Sequence, residues 1–111
     1  MLPADPILPI ERIVNALVAE NYAQAVAFSF HLDRLTADQI AQAIHHYPGR
    51  LTLPPSSAYQ EIEVHEYDDG SGALLEFFLW ADGEPSDLMI QVNATYSDGD
   101  WYYTLWDILV P

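Results

Sequence analysis

Residues 61–67 read EIEVHEY and residues 73–81 read ALLEFFLWA, and these two stretches decide the fold. Upstream, apolar residues recur every three to four positions. From here on they recur every two, the period of a strand. Glu61–Tyr67 sets Ile62 and Val64 inward and Glu61, Glu63 and His65 outward. Ala73–Ala81 is apolar on both sides, with Leu75, Phe77 and Leu79 against Leu74, Phe78 and Trp80, as expected of a central strand covered on both faces. Asp68-Asp69-Gly70-Ser71-Gly72 joins the two as a hairpin loop.

Downstream the same rhythm continues. Asp82-Gly83-Glu84-Pro85 is a turn, and Asp87–Ser97 alternates Leu88, Ile90, Val92, Ala94 and Tyr96 with Met89, Gln91, Asn93 and Thr95. Asp98-Gly99 is a strong hairpin signal. Trp101–Val110 forms the last strand, with Trp101, Tyr103 and Leu105 on one face and Tyr102, Thr104, Trp106 and Ile108 on the other. Upstream, Leu51–Tyr59 contains Pro54-Pro55 and reads as an ordered loop. Thr36-Ala37-Asp38-Gln39 is a capping box that opens a helix running to about Tyr47, stopped by Pro48-Gly49. Asn21 caps a short Ala-rich helix, with Gln24 placed to answer it. Ile10, Ile13, Val14, Leu17 and Val18 form the stripe of a first helix, from about Pro9 to Glu20. Residues 1–9, with Pro at 3, 6 and 9, read as an extended lead-in. Phe28–Leu32 fits either the end of the second helix or a short strand. The order predicts an α+β fold: N-terminal helices packed on a curved four-stranded antiparallel meander, in a single domain over 1–111.

Composition narrows the chemistry. The chain has 111 residues, 17 Asp and Glu, 3 Arg, no Lys and no Cys, and a net charge of −14. Without Cys there is no disulfide, thiolate zinc site or cysteine nucleophile. Three Arg cannot neutralise a run of phosphates, so no nucleic acid is expected. No apolar run is long enough to span a membrane. With no basic leader in view, the expected setting is cytoplasmic. The charge is also lopsided. Residues 1–50 hold Arg12, Arg34 and Arg50 against five acids, a net of −2, whereas residues 51–111 hold twelve acids and no Lys or Arg, a net of −12. Solubility through self-repulsion is the plain reading, and an acidic face for a basic partner is the sharper one.

The helix corner at Ala16–Tyr22, the third helix at Thr36–Tyr47, the strand Glu61–Tyr67 and the closing hairpin Asp98-Gly99-Asp100-Trp101 to Leu105-Trp106-Asp107-Ile108 resemble the nuclear-transport-factor-2-like (cystatin-like) superfamily of cone-shaped domains. Arg34-Leu35-Thr36, Ala43-Ile44, Tyr47, Pro54-Pro55, Ala58-Tyr59, Ser86-Asp87-Leu88 and Asp107-Ile108 also resemble a family of small bacterial domains of unknown function. The first resemblance implies a pocket between sheet and helices, often with an acid/base pair inside. It implies no function by itself.

The residues offer several candidate sites. His45-His46 ends the third helix, where the dipole alone favours imidazolium; adjacent helix positions point about 100° apart and do not chelate one ion. His65 shares a strand face with Glu61 and Glu63, spaced for joint action on a ligand or metal, though Ile62 and Val64 direct that face outward. Tyr47, Tyr59, Trp80, Asp87, Trp106 and Asp107 are the pocket candidates, since aromatics with a few carboxylates line small-molecule cavities; filling a small core is the plainer role for the large rings. Asp68-Asp69-Gly70 and Asp98-Gly99-Asp100 lack the spacing of a calcium loop. No catalytic residue, metal ligand set or cofactor motif is assigned. The expected function is a non-catalytic binding or protein-interaction module, meeting a protein partner or a second copy of itself through the sheet at Tyr102, Thr104 and Trp106. The alternatives are a cavity enzyme (isomerase, dehydratase or hydrolase) on a small apolar substrate, and an immunity-type inhibitor of a basic partner.

Overall fold

The structure, a computed structural model, describes residue 3 and residues 5–111. Three helices, α1 (Ile7–Val18), α2 (Tyr22–Ala27) and α3 (Ala37–His46), precede five strands: β1 (Leu51–Thr52), β2 (Glu63–Glu66), β3 (Gly72–Ala81), β4 (Glu84–Ser97) and β5 (Asp100–Leu109). The fold is α+β, with one open antiparallel sheet. β3, β4 and β5 are adjacent in sequence order, and β1 and β2 share the other edge of β3. β1 pairs with residues 80–81 and β2 with residues 73–76. The segment between them turns as a 3₁₀ helix, Ser56–Glu61.

Local signals account for most element ends. Thr36 Oγ1 accepts from the Gln39 amide at 3.1 Å, and the Gln39 side chain accepts from the Thr36 amide at 2.9 Å, so the capping box is complete. Asn21 Oδ1 accepts from the Gln24 amide at 3.2 Å, and Gln24 answers through the Asn21 side chain. The Asp82-Gly83 and Asp98-Gly99 turns hold both residues at positive φ, the geometry that matches the twist of a hairpin. α1 closes differently: the Asn21 amide reaches Ala16 O and the Glu20 amide reaches Leu17 O, with Glu20 left-handed at φ 59°.

The core lies between the helices and one face of the sheet. Ile10, Ile13, Val14 and Leu17 of α1 and Ile40 and Ile44 of α3 meet Leu75, Phe77 and Leu79 of β3, Leu88, Ile90, Val92 and Ala94 of β4, and Leu105 and Ile108 of β5. Each fully buried large side chain contributes about 1.5–3 kcal/mol.

Several expectations need correction. Helix one begins at Ile7, two residues before Pro9, and the Ile7 amide is taken by Asp5 Oδ1 at 3.1 Å; the extended lead-in is therefore shorter than residues 1–9, and residues 1, 2 and 4 lie outside the described part. Pro9 falls in the first turn, where its missing N–H costs nothing. Leu51–Tyr59 holds a two-residue strand and the start of the 3₁₀ helix, so the meander has five strands. Glu61 belongs to that 3₁₀ helix and leaves the strand face of Glu63 and His65.

Phe28 ends α2 as its C-cap, its amide donating to Gln24 O at 3.0 Å, and the rest of Phe28–Leu32 is neither helix nor sheet strand. It runs as a strap along β5: the Phe30 amide donates to Tyr103 O at 2.8 Å, and the Leu105 amide donates to Ser29 Oγ at 3.0 Å. In β5 the pairing slips between Gln91↔Asp107 and Val92↔Leu105, leaving Trp106 as an extra residue. That bulge turns Ile108 to the core face beside Leu105, away from the face expected for it. β3 is covered on one face only. Leu75, Phe77 and Leu79 are buried, whereas Phe78 on the opposite side is 45% exposed.

Candidate functional site

The face of the sheet turned away from the helices is the most developed surface of the molecule. Antiparallel register puts residues of neighbouring strands on one side in rows. Glu63 stands opposite Glu76, His65 opposite Leu74, Glu76 opposite Gln91, Phe78 opposite Met89, and Asn93 opposite Thr104. Several polar side chains of this face are joined in two chains of hydrogen bonds. His65 Nε2 lies 2.7 Å from Glu76 Oε1 and 3.4 Å from Glu63 Oε2. Gln91 Nε2 donates to the other Glu76 oxygen, Oε2, at 2.9 Å. Beside this group, Tyr67 Oη donates to Asn93 Oδ1 at 2.7 Å, and Asn93 Nδ2 donates to Thr95 Oγ1 at 3.1 Å. Partial burial, helped by the Asp69 charge, raises the Tyr67 pKa above that of a free phenol, so the hydroxyl remains a donor.

Next to this polar group the face becomes apolar. Phe78 borders a groove of about 570 Å³ with Trp80, Pro55 and Pro85, and Glu61 sits at its rim. The groove lies where β3 passes between the start of β2 and the end of β1. Its prolines carry no amide N–H, so they offer apolar surface and few donors to a partner.

The pocket candidates fall in four places. Beside α3, Tyr47 and Asp87 line one groove and Asp107 the adjoining one, near the start of β4 and the end of β5, and the two grooves share Ala43, His46 and Ile108. There the Tyr47 hydroxyl donates to Asp87 Oδ1 and accepts from the Asp87 amide at 3.4 Å. Asp107 Oδ1 accepts from the Ile108 amide at 2.8 Å, a local bond that fixes the strand end. Tyr59 is a core residue, buried and stacked on Phe77 at 5.1 Å, and its pKa is raised by burial first and by Glu11 second. Trp80 borders the proline groove. Trp106 is at the β5 bulge, where Arg34 stacks over its ring at 4.0 Å and donates to its carbonyl at 3.0 Å.

The interface candidates also separate. Thr104 is buried, and its hydroxyl oxygen accepts from the His31 amide at 3.2 Å. Tyr102 is half-buried against Phe30, ring centroids 4.6 Å apart. The strap therefore occupies part of the surface expected to be free, and the free surface lies towards β2 and β3. His45, at the end of α3, meets Tyr22 Oη at 3.2 Å. Asp69 Oδ1 accepts from the Ser71 amide at 2.9 Å, and hydrogen bonding to Ser71 lowers its pKa; this is turn chemistry.

Glu76 and Gln91 are the two site residues that the alternation alone does not single out. Glu76 is the lone carboxylate in the apolar run 73–81, and pairing across the loop at 67–71 places it opposite Glu63. Gln91 needs more: β4 has extra residues where the pairing slips between Phe78 and Trp80, and that irregularity brings Gln91, not Met89, opposite Glu76.

The chain matches, over residues 14–111, the model of a family described as a domain of unknown function (DUF7668), and it belongs to that family. No curated protein and no solved structure matches the chain. No helix among the described residues is long and apolar enough to cross a membrane.

Proposed function

We propose that this chain is a non-catalytic binding module that docks a positively charged segment of a protein partner on its open sheet face. The observation that carries this reading is the make-up of that face. Phe78 is 45% exposed beside Glu63, Glu76 and His65, and residues 51–111 contain no Lys or Arg to compete for those carboxylates. An exposed aromatic among acids with no Lys or Arg from residues 51–111 suits an apolar contact flanked by a partner's Lys or Arg. Self-association through the same face is disfavoured, because it would press Glu63 and Glu76 against their own copies. An immunity-type inhibitor of a basic protein is a special case of the same docking.

The cavity-enzyme reading has less support. Among the described residues, Ser29 and Thr104 are the buried polar ones, and both are held by backbone amides of the strap and β5. No carboxylate or imidazole is available there for enclosed acid/base work. The resemblance to the cone-shaped superfamily belongs to this proposal as an architectural reading, supported in outline by helices against one face of an antiparallel sheet.

The test is an NMR titration of the intact chain with a Lys/Arg-rich peptide at low salt. Amide shifts should concentrate on β2, β3 and the 3₁₀ helix and should collapse at about 1 M salt, where charges are screened within about 3 Å. Shifts spread evenly over all acidic surface, or absent, would overturn the reading, as would saturation unaffected by charge reversal at Glu63 and Glu76.

A further inference from the structure

We propose that Glu63, His65 and Glu76 form a binding site for one divalent cation of the zinc type. The three residues come from two neighbouring strands, and their ligand atoms all lie within 4.8 Å of one another. A zinc ion holds nitrogen and oxygen ligands at about 2.0–2.2 Å, which places tetrahedral ligands about 3.4 Å apart. His65 Nε2 and Glu63 Oε2 are 3.4 Å apart, and His65 Nε2 and Glu76 Oε1 are 2.7 Å apart. Of these two pairs only the second has to open, by rotation of an exposed imidazole, and the two carboxylate oxygens lie within 4.8 Å of each other.

Two further features favour a cation over a simple ion pair. Gln91 Nε2 holds Glu76 Oε2 at 2.9 Å from outside the triad, so Oε1 is the oxygen aimed at the shared point. Such an outer donor orients a metal-ligating carboxylate. Glu63 and Glu76 are also direct cross-strand partners, where like charges repel, and neither Lys nor Arg exists in residues 51–111 to relieve them. The imidazole ligand selects a borderline metal such as zinc over calcium or magnesium, which take oxygen ligands. Three protein ligands on an open face leave the remaining positions to water or to a group from a partner.

The inference does not rest on the protein-docking reading, and it is tested without any peptide. Zinc is titrated into the intact chain by calorimetry, while the ring signals of its 4 His are followed by NMR. One equivalent should bind, the His65 ring should move first, and calcium should bind more weakly. His65→Ala should weaken binding at least about tenfold, and Gln91→Ala about tenfold through loss of the orienting donor. His45→Ala should leave the affinity unchanged. His65 and Glu63 are exposed, so their variants should fold; circular dichroism checks this. No binding at millimolar zinc, an unchanged affinity in His65→Ala, first movement at His31, His45 or His46, or equal affinity for calcium with His65 unmoved would each overturn the site.

Discussion

The two faces of the sheet are built from the same strands and differ in character. The face under the helices presents Leu75, Phe77, Ile90, Val92 and Leu105, all buried, with no charge. The other presents Glu63, His65, Glu76 and Gln91 beside an exposed Phe78. Strand alternation makes such a division available, because neighbouring residues point to opposite sides. In this chain the helices supply apolar surface enough for only one side. Stability is therefore concentrated on the covered face, and the open one carries the polar and charged side chains.

Paired truncations break that contrast most directly. Ile90→Ala removes a fully buried side chain from the core between the helices and the sheet and should cost about 2–5 kcal/mol. Phe78→Ala, from the adjacent strand but the open face, should cost below about 1 kcal/mol, because much of its ring is already in water. Urea unfolding followed by tryptophan fluorescence gives both values. Equal costs would mean that the open face is covered in solution.

The covered face was legible in the sequence, and the open one was not, for a physical reason. Burial is announced by periodicity: Ile10, Ile13, Val14 and Leu17 on a helix, and Leu88, Ile90 and Val92 on a strand. Caps and tight turns are also local, which is why Thr36–Gln39 and Asp98-Gly99 could be read without any structure. ALLEFFLWA, however, is apolar on both sides whether the second side meets a helix or a partner. Nothing within nine residues distinguishes a central strand buried twice from one that holds Phe78 ready. The strap was illegible for another reason. Its partners are 73 and 76 residues away, at Thr104 and Leu105, and a segment stabilised by distant amides leaves no local period. The candidate site falls between these cases. His65 and Glu63 were visible as a strand pair, but Glu76 requires the hairpin register and Gln91 the irregularity in β4.

The edges of the sheet sharpen the contrast at a second level. β5 has its outer edge closed by the strap, and Ser29 is the fastening: its Oγ accepts from the Leu105 amide at 3.0 Å and approaches Ala25 O at 3.5 Å. Ser29→Ala leaves that amide buried without a partner and should cost about 1–3 kcal/mol. Hydrogen exchange gives a more specific reading than the global cost. The Leu105 and Phe30 amides should lose protection, while amides of β2 at the opposite edge keep theirs. Loss of protection across the whole sheet would show that the strap is part of the global core and not a separate cover.

The smallest effect carries the clearest sign. Glu63 and Glu76 face each other across β2 and β3, and residues 51–111 provide no Lys or Arg near them. Cross-strand like charges destabilise by a few tenths of a kcal/mol, and the exposed contact of Glu63 with His65 returns little. Without added metal, Glu63→Gln should therefore raise stability by about 0.2–0.5 kcal/mol. The gain should shrink as salt is added, because screening already removes the repulsion. A truncation on the covered face should lower stability, whereas removing a charge from this pair on the open face should raise it. A loss of stability in Glu63→Gln would instead make that carboxylate part of what holds β2 to β3, and the division of labour between the two faces would fail at the position where it is most exposed to test.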